Sequence, residues 1–387
     1  MSKLEKLIKK LCPNGVEYKE LNTLVDYIQP TKYIVKSTKY NDEYDIPVLT
    51  PGQTFILGYT NEKEGIYNAD KENPIILFDD FTTAFRWINF KFKVKSSAVK
   101  ILIPKNNNIN FKYVFYTMQT IKFDNTQHNR QWISKYSILK IPVPPIEVQN
   151  EIVRILDNFM ELEAELEAEL EARRKQYEYY RNEIIEKFDY KLVKLKDIII
   201  KSSSGGTPLK SNNEFYENGK IPWLRTQDIK FNEIYQINSF ITEKAVQCTS
   251  AKWIPENCVI VAISGASAGR CAINKIKTTT NQHCLNMQID NTKAIYRYVF
   301  YCVCSRYEEL LSMKQGARGD LNSSKILSLK IPLPKIEEQE KIVSILDRFD
   351  KLCNDISEGL PAELEARRKQ YEYYRDKLLT FKEIKNG

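Results

Sequence analysis

The chain is 387 residues long, with 42% hydrophobic and 28% charged residues and a formal net charge of +8. Its length favours two or three domains, and its composition excludes an intrinsically disordered chain. No stretch approaches the ~20 consecutive apolar residues of a membrane span, and the charged N-terminus lacks a hydrophobic run. We therefore expect a soluble, cytoplasmic protein.

The first segment, from about residue 15 to residue 140, has the pattern of a mixed α/β domain. Short β-rich runs occur at NPIILFDDF (73–81) and AVKILIP (98–104), with loops between them. The stretch FKYVFYTMQ (111–119) predicts a short helix.

A long helix is predicted next. After an Ile-Pro-x-Pro stretch, which favours extended chain, no proline or glycine occurs from about Glu147 to Lys187. At 1.5 Å per residue this segment gives a helix of roughly 60 Å. Its apolar residues step by three and four, which is coiled-coil spacing with one stutter, and a rod with such a stripe needs a partner helix. The stripe consists of Ile152, Ile155, Phe159, Leu162, Leu166, Leu170, Tyr177, Tyr180 and Ile184.

Charge is distributed unevenly along the chain. The segment from Glu147 to Lys187 has twelve acidic and six basic residues, a net charge of −6, so the remainder carries +14 within the total of +8. Domains this basic suit a polyanion such as nucleic acid. A lysine-rich solvated surface accounts for the charge equally well.

The segment from about residue 188 to residue 328 predicts a second mixed α/β domain. NCVIVAIS (257–264) and LNMQI (285–289) have the composition of strands, and YRYVFYCVC (296–304) that of a short helix. The second domain weakly echoes the first, since GKIPWLR resembles YDIPVLT and RYVFY resembles KYVFY. The two domains are therefore expected to be diverged copies.

The helical regions are a much closer repeat. LKIPVPPIEVQNEIVRILDNF (139–159) aligns with LKIPLPKIEEQEKIVSILDRF (329–349). The thirteen residues ELEARRKQYEYYR occur unchanged at 169–181 and at 363–375. An internal duplication of this length dictates the fold.

The second helical region is interrupted by Gly359 and Pro361. We expect a break near Ser357 to Pro361 and a fresh helix from about Ala362. The two helical regions most simply pack antiparallel, because either stripe alone would leave a large apolar surface in water. The halves are then related by an approximate twofold axis, a geometry suited to a DNA duplex with two half-sites.

As a combined pattern, these features resemble the specificity subunit of a type I restriction-modification system, over essentially the whole chain. The second domain contributes SSSGGTPLK (202–210) and IPWLRTQDI (221–229) to the resemblance. The first domain has DYIQPTKYIV in place of the Gly-Gly-Thr-Pro loop, which suggests a different recognition type and a different half-site. The helical regions contribute the duplicated thirteen residues and Pro142, Pro144, Gln149, Ile152, Leu156, Pro332, Pro334, Gln339, Ile342 and Leu346.

The resemblance implies an α+β protein with two mixed α/β target-recognition domains, separated by two long helices. The helices are expected to pack as an antiparallel coiled coil, with a pseudo-twofold internal repeat. We expect the first recognition domain at 1–143, the first conserved helix at 144–188, the second recognition domain at 189–333 and the second helical region at 334–387.

A binding protein, not a catalyst, is also implied. The expected partners are a bipartite, asymmetric double-stranded DNA target, adenine methyltransferase subunits and restriction subunits that act as translocases. Two alternatives remain open. One is a coiled-coil adaptor whose globular domains bind proteins only, and the other is a specificity module of a single-chain restriction-modification enzyme.

Motifs for catalysis are missing from the sequence. A methyltransferase needs a Pro-Pro-aromatic tetrapeptide, but Pro144-Pro145 is followed by isoleucine, and GGTPLKS (205–211) lacks the spacing of a phosphate-binding loop. The eight cysteines form no Cys-x-x-Cys pair, which favours reduced thiols over a zinc site. Asp79-Asp80 could hold a metal, but a polar turn after a strand is favoured. We expect no enzyme activity, cofactor or metal.

DNA-binding candidates are polar clusters in the predicted loops, because Arg, Lys, Asn and Gln read base edges while Ser, Thr and backbone amides contact phosphates. For any single residue, a solvent-facing polar group remains the commoner role. Arg318 could instead pair with Asp320, and Trp132 is expected in the core. The first-domain candidates are Gln53, Thr54, Thr82, Thr83, Arg86, His128, Asn129, Arg130 and Gln131. Those of the second domain are Gly205, Gly206, Thr207, Arg225, Thr226, Gln227, Ser267, Arg270 and Arg318.

Overall fold

The computed structural model describes residues 2–50, 54–124, 129–186, 190–315, 320–354 and 358–384. The chain forms two compact units. Unit 1 comprises Met1–Glu165 and Leu364–Gly387, and unit 2 comprises Leu166–Glu363. Each unit therefore contains one α/β domain together with segments of both helical regions.

Unit 1 begins with a short helix and continues as a mixed α/β domain. Its buried runs Ile46–Leu49 and Ile75–Asp79 form strands, because β-branched and aromatic residues pack well on a pleated surface. In chain order its elements are α1 (Lys3–Leu11), β1 (Glu17–Glu20), α2 (Leu21–Leu24), β2 (Val25–Ile28), β3 (Ile46–Leu49), β4 (Ile56–Thr60), β5 (Ile75–Asp79), β6 (Phe85–Ile88), β7 (Lys93–Val94), β8 (Val99–Pro104), α3 (Phe111–Met118) and β9 (Lys140–Val143).

Two sheets organise this domain. The larger has the strand order β2-β8-β5-β6 and is antiparallel, and the smaller has the order β4-β3-β7, in which β3 and β7 are parallel. Strands β1 and β9 pair separately, so the start of the domain lies beside its end. Trp132 is buried, with its ring centroid 5.0 Å from that of Phe78, which confirms its predicted place in the core.

The helix α4 (Ile146–Glu186) follows as one continuous element and belongs to unit 1 as far as Glu165. The elements after it are β10 (Leu192–Lys194), β11 (Ile199–Ser204), β12 (Ile221–Leu224), β13 (Asn232–Ile234), β14 (Phe240–Ile241), α5 (Glu243–Cys248), β15 (Trp253–Ile254), β16 (Val259–Ala262), β17 (Cys271–Asn274), β18 (Thr278–Thr280), β19 (Cys284–Ile289), α6 (Tyr296–Ser305), α7 (Tyr307–Ser312), α8 (Ser323–Leu327), β20 (Lys330–Pro332), α9 (Ile336–Asn354) and α10 (Leu360–Leu378).

The second domain repeats the plan of the first. Its larger sheet has the order β11-β19-β16-β17-β13, and its smaller sheet has the order β14-β12-β18-β15, in which β12 and β18 are parallel. Strands β10 and β20 pair at the ends of the domain, as β1 and β9 do in the first. The strands and short helices predicted in both domains are confirmed, and so is the expectation of two diverged copies.

The duplicated Gln of the helical regions has the same buried role twice. Gln149 Nε2 donates to the carbonyl oxygen of Pro144 at 2.7 Å, and its Oε1 accepts from the backbone N of Asn110 at 2.9 Å. Gln339 bonds in the same way to the carbonyl of Pro334 and to the backbone N of Ile295, both at 2.9 Å. Each glutamine thus ties the start of a long helix to the start of the short helix of its own domain.

In unit 1, the first half of α4 packs antiparallel against α10. The rings of Phe159 and Tyr374 stack with centroids 5.6 Å apart, and Arg368 Nε donates to Glu163 Oε1 at 2.6 Å. A later residue of α4 therefore meets an earlier residue of α10. This direction of pairing was predicted from the apolar stripes and is confirmed.

In unit 2, the second half of α4 packs against α9, and these two helices are also antiparallel. Tyr180 stacks on Phe349 with ring centroids 6.2 Å apart, while Tyr177 and Cys353 belong to one buried core. The duplication places Phe349 at the position of Phe159 and Tyr180 at that of Tyr374. The same aromatic contact is therefore made once in each unit, as expected of an internal repeat.

The predicted break in the second helical region is also confirmed. Helix α9 ends at Asn354 and α10 begins at Leu360. The helix begins two residues earlier than expected, with Pro361 in its first turn. Proline is tolerated there because its missing N–H would have no partner within the helix.

One detail of the predicted stripe is wrong. Leu162 is 50% exposed, and the helix face toward α10 is taken at this level by Glu163, whose side chain is 15% exposed. The physical reason is the period of the helix: Glu163 lies seven residues, or about two turns, after the buried Leu156, and therefore on the same face.

Among the described residues, none of the helices combines the length and the apolar character that crossing a bilayer requires.

Candidate nucleic-acid interface

The predicted DNA-binding loops of the second domain meet at one edge of its sheets. The parallel strands β12 and β18 end side by side, and the N of Asn281 donates to the carbonyl oxygen of Leu224 at 3.0 Å. The N of Ile263, just past the end of β16, donates to the carbonyl of His283 at 2.9 Å. Loops from the ends of β11, β12, β16 and β18 are thereby brought together, although they lie far apart in sequence.

Gly205 and Gly206 are buried where β11 reaches this edge. A Cβ on Gly205 would lie 1.8 Å from the carbonyl oxygen of Thr280, and one on Gly206 would lie 2.3 Å from Ser250 Oγ. The carbonyl of Gly206 accepts a hydrogen bond from Trp223 Nε1 at 3.1 Å. Close backbone packing is thus the physical reason for these two glycines, and their contact with DNA stays a prediction.

Thr207 is exposed beside the two glycines, and its hydroxyl donates to the Gln282 side-chain oxygen. Gln282 Nε2 lies 3.2 Å from His283 Nε2. Neither Gln282 nor His283 was among the sequence candidates. The signal that could have found them is the polar triplet Asn-Gln-His shortly before the predicted strand at 285–289, since the same kind of cluster identified the other loops.

Arg225, Thr226 and Gln227 form a tight turn directly after β12. The backbone N of Arg225 donates to Asp228 Oδ2 at 2.8 Å. The guanidinium carbon of Arg225 lies 5.7 Å from the ring centroid of Trp223. Stacking on an aromatic ring orients a guanidinium without neutralising it. Gln227 is exposed at the tip of this turn.

Ser267 and Arg270 lie in the loop between β16 and β17. The loop turns at Gly265, which has a φ of 72° and no neighbour within 4 Å of an added Cβ. Ser264 Oγ donates to Asp320 Oδ1 at 2.6 Å, which ties this loop to the segment that precedes α8. Arg318 lies outside the described residues.

The first domain has the equivalent edge. The N of Asp80, just past β5, donates to the carbonyl oxygen of Ala98 at 2.9 Å, and the carbonyl of Asp80 accepts from the N of Gln131 at 2.8 Å. The N of Lys95, just past β7, donates to the carbonyl of Leu49 at 2.8 Å. Loops 80–84, 95–98 and 129–131 are therefore neighbours.

Thr82 and Thr83 occupy the tight turn between β5 and β6. Asp79 Oδ1 accepts from the backbone N of Phe81 at 2.9 Å, and Asp79 Oδ2 accepts from the Thr82 hydroxyl. Thr83 has a φ of 61°, which places the turn in the left-handed region. The favoured interpretation of Asp79-Asp80 as a polar turn is confirmed, and within the described ranges no cluster of His, Cys, Asp and Glu could hold a metal.

Arg130 is half exposed above a buried charge pair. Its Nη2 donates to Ser97 Oγ at 3.4 Å, and its Nη1 lies 3.9 Å from Asp80 Oδ2. Lys100 Nζ lies 3.5 Å from the same oxygen, and both partners of this pair are at most 1% exposed. Burial lowers the pKa of Lys100, and the neighbouring Asp80 carboxylate opposes that shift.

The remaining candidates of the first domain are distributed around this edge. The Arg86 guanidinium carbon lies 4.6 Å from the ring centroid of Phe55, next to the exposed Thr54. Gln131 Nε2 donates to the carbonyl oxygen of Asn129 at 3.0 Å. Gln53 and His128 lie outside the described residues.

One loop at this edge of the first domain was not predicted from the sequence. Residues 95–98 join β7 to β8, as residues 281–283 join β18 to β19 in the second domain. They place Ser97 beside Arg130, whose Nη2 donates to Ser97 Oγ at 3.4 Å. Their short Lys-Ser-Ser sequence lacks the Asn, Gln or Arg residues that marked the other clusters.

Comparison with known proteins relates the whole chain to one family. The profile described as type I restriction modification DNA specificity domain matches residues 13–172 and again 188–366. The specificity subunit of a type I restriction enzyme of Escherichia coli is 44% identical over 98% of this chain and 97% of its own length. A putative type I restriction enzyme specificity subunit of Haemophilus influenzae is 30% identical over 98% of both chains.

Solved structures share the fold. The specificity subunit of a type I restriction-modification system from M. genitalium matches with a TM-score of 0.52 at 16% identity, over 95% of this chain and 97% of that one. A chain from a study of complex assembly and conformational transition in a type I system matches with a TM-score of 0.59 at 14% identity, over 95% and 98%.

Proposed function

The chain belongs to the family of type I restriction-modification specificity subunits, and from that membership we propose that it recognises a bipartite, asymmetric DNA target through its two domains. DNA target recognition is the general role of this family, whose members are non-catalytic components of their systems. The finer proposal is that each of the two sheet edges contacts one half-site. The domain bounds and the cytoplasmic location expected from the sequence stay predictions.

The observation that supports this proposal is the pair of equivalent edges with different side chains. In both domains the same backbone hydrogen bonds gather the loops, but the side chains presented are Thr82, Arg86 and Arg130 in one and Thr207, Gln227 and Gln282 in the other. Similar frames with unlike polar groups suit two unlike half-sites, because base edges are distinguished by the pattern of donors and acceptors they meet.

We further propose that the helices dock adenine methyltransferase subunits and, with them, restriction subunits. Large apolar side chains remain exposed on the helices of both units, which favours a protein partner over solvent. They include Met160 and Leu162 in unit 1, and Ile345 and Leu352 in unit 2, all between 41% and 50% exposed. The acidic residues of α4 suit a protein partner better than DNA phosphates.

The proposal is tested by measuring how much each half-site contributes to the affinity for DNA. Methylome sequencing of cells that carry the gene with its partner genes would give the bipartite motif. Affinities of the assembled complex are then measured for the intact duplex and for duplexes with either half-site scrambled, at several salt concentrations. We expect scrambling of either half to reduce affinity by at least ~10-fold.

A double variant tests which half-site the sheet edge of the second domain contacts. Thr207→Ala/Gln282→Ala should reduce discrimination at one half-site and leave the other unchanged. Gln288→Ala is the matched control, because Gln288 stands near the opposite end of β19 and pairs with Lys201. Binding that depends on neither half-site, or the absence of salt-dependent affinity for DNA, would instead favour the protein-only adaptor.

A further inference from the structure

A charge pair is buried beneath the loop that carries Arg130 in the first domain. Lys100 on β8 is fully buried, and Asp80 is 1% exposed. Burying two charges costs several kcal/mol per ion, and their mutual attraction does not always offset that cost. A pair in this position therefore requires a reason beyond the stability of the sheet.

Asp80 holds the loop through three groups. Its Oδ1 accepts from the backbone N of Gln131 at 3.1 Å and from that of Trp132 at 2.8 Å. Its Oδ2 lies 3.9 Å from the Nη1 of Arg130. Lys100 Nζ lies 3.5 Å from the same oxygen. One carboxylate thus holds the backbone of the loop by two hydrogen bonds and lies within ion-pair distance of its cation.

The second domain has the same backbone arrangement without the charges. There the carbonyl oxygen of Ile263 accepts from the N of Leu321 at 2.8 Å, as the carbonyl of Asp80 accepts from Gln131. The N of Ile263 donates to the carbonyl of His283, as the N of Asp80 donates to Ala98. Ile263 is thus the counterpart of Asp80.

The counterpart of Lys100 follows from strand register. Lys100 pairs with Phe78, two residues before Asp80, and Leu285 pairs with Val261, two residues before Ile263. Leu285 is 2% exposed. An isoleucine and a leucine therefore occupy in the second domain the two positions that hold an ion pair in the first, and the backbone frame does not require the charges.

We propose that Asp80 and Lys100 are positioning residues for DNA recognition, which hold Arg130 and residues 129–131 in the orientation that reads the first half-site. This inference rests on the proposed function. Because Arg130 is anchored at Asp80 and Ser97 before DNA arrives, less side-chain freedom is lost on binding. The two domains then share one frame, and the buried charges adapt the first copy to Arg130.

The test copies the apolar pair of the second domain into the first. The double variant Asp80→Ile/Lys100→Leu is assembled with its partner subunits and assayed on the intact duplex and on duplexes with one half-site scrambled. We expect its discrimination at the first half-site to fall by about 10-fold, the order of one mismatched base pair, with discrimination at the second half-site unchanged. Its thermal stability should reflect two opposing effects: removal of a buried ion pair, which is often neutral or stabilising, and loss of the Asp80 acceptor for the buried backbone N of Trp132, which is destabilising.

A double-mutant cycle with Arg130→Gln separates positioning from general destabilisation. If Asp80 and Lys100 act through Arg130, adding Arg130→Gln to the double variant causes little further loss. Should the apolar variant fold poorly, Asp80→Asn/Lys100→Met keeps an acceptor for the two backbone amides while removing both charges, and the same half-site-specific loss is expected.

Two results would overturn the inference: full discrimination at the first half-site in the folded variants, or an equal loss at both half-sites. A wild-type complex that discriminates at neither half-site would instead refute the proposed function. The two failures are therefore distinguishable.

Discussion

Phe159 stacks on Tyr374 with ring centroids 5.6 Å apart and ring planes 24° from parallel. Their duplicates, Phe349 and Tyr180, stack at 6.2 Å and 28°. In both contacts the phenylalanine comes from one copy of the helical repeat and the tyrosine from the other. Each unit therefore depends on both copies of the helical repeat.

The first prediction concerns this aromatic pair. Tyr374→Ala removes the stacking contact and part of its apolar burial, so we expect the free energy of unfolding to fall by about 1–2 kcal/mol. Urea denaturation of the full chain, followed by hydrogen exchange within α10, measures the loss. Tyr373→Ala is the matched control, because Tyr373 is 62% exposed against 37% for Tyr374. Equal losses for the two variants would contradict the stacking argument.

The second prediction concerns Gly205. Gly205→Ala places a methyl group against the carbonyl of Thr280, so we expect a loss of about 2–4 kcal/mol in stability, as for other changes that overpack a closely packed site. Thermal unfolding measures it. Thr207→Ala, which changes an exposed neighbour, should leave the melting temperature nearly unchanged and alter DNA binding instead. A Gly205→Ala protein of normal stability that has lost one half-site would show direct contact with DNA.

The third prediction is a pH dependence that arises at Glu151. Hydrogen bonds from Arg154 and then Lys3 lower the pKa of Glu151 from its ordinary value of 4.5 to about 2. The folded state therefore binds the proton less readily than the unfolded state, and the stabilisation is present above about pH 4.5. It is lost as the pH falls toward 2.

Denaturation between pH 5 and pH 2, for wild type and Glu151→Gln, checks this prediction. The variant lacks the titrating group, so its stability should depend less steeply on pH over that interval. Glu147→Gln is the control, since Glu147 is an exposed carboxylate in the same helix. Parallel pH profiles for wild type and Glu151→Gln would refute the assignment.

The fourth prediction concerns the spacing of the half-sites. Helix α4 is continuous across the repeated Glu-Leu-Glu-Ala tetrads at 161–172, and inserting a fourth tetrad lengthens it by about 6 Å. We expect the preferred gap between half-sites to change, as mapped by methylome sequencing of cells with the lengthened gene. Replacing one tetrad by Ala-Glu-Ala-Glu, at constant length, should leave the gap unchanged. An unaltered gap in the lengthened protein would contradict a ruler role for the helix.

Much of the architecture could be predicted because the sequence contains it twice. The duplicated Gln149 and Gln339, the stripes of the two helical regions and the break at Pro361 are local or repeated patterns, and the structure has them close to where the sequence places them. The exposure of Leu162 was mispredicted because apolar residues spaced three or four positions apart can lie on either of two adjacent faces of a helix. Packing against α10 selects between them.

The sequence by itself determined the duplication, the helical framework and the polar character of the loops, because these depend on spacing and composition. Only the tertiary structure decided which loops share an edge, since the parallel pairing of β12 with β18 joins residues more than fifty positions apart. It also decided that Gly205 packs against Thr280. It decided, too, that Asp80 and Lys100 occupy in the first domain the positions of Ile263 and Leu285 in the second. Such relations arise from backbone hydrogen bonds between distant segments, which no local pattern of side chains encodes.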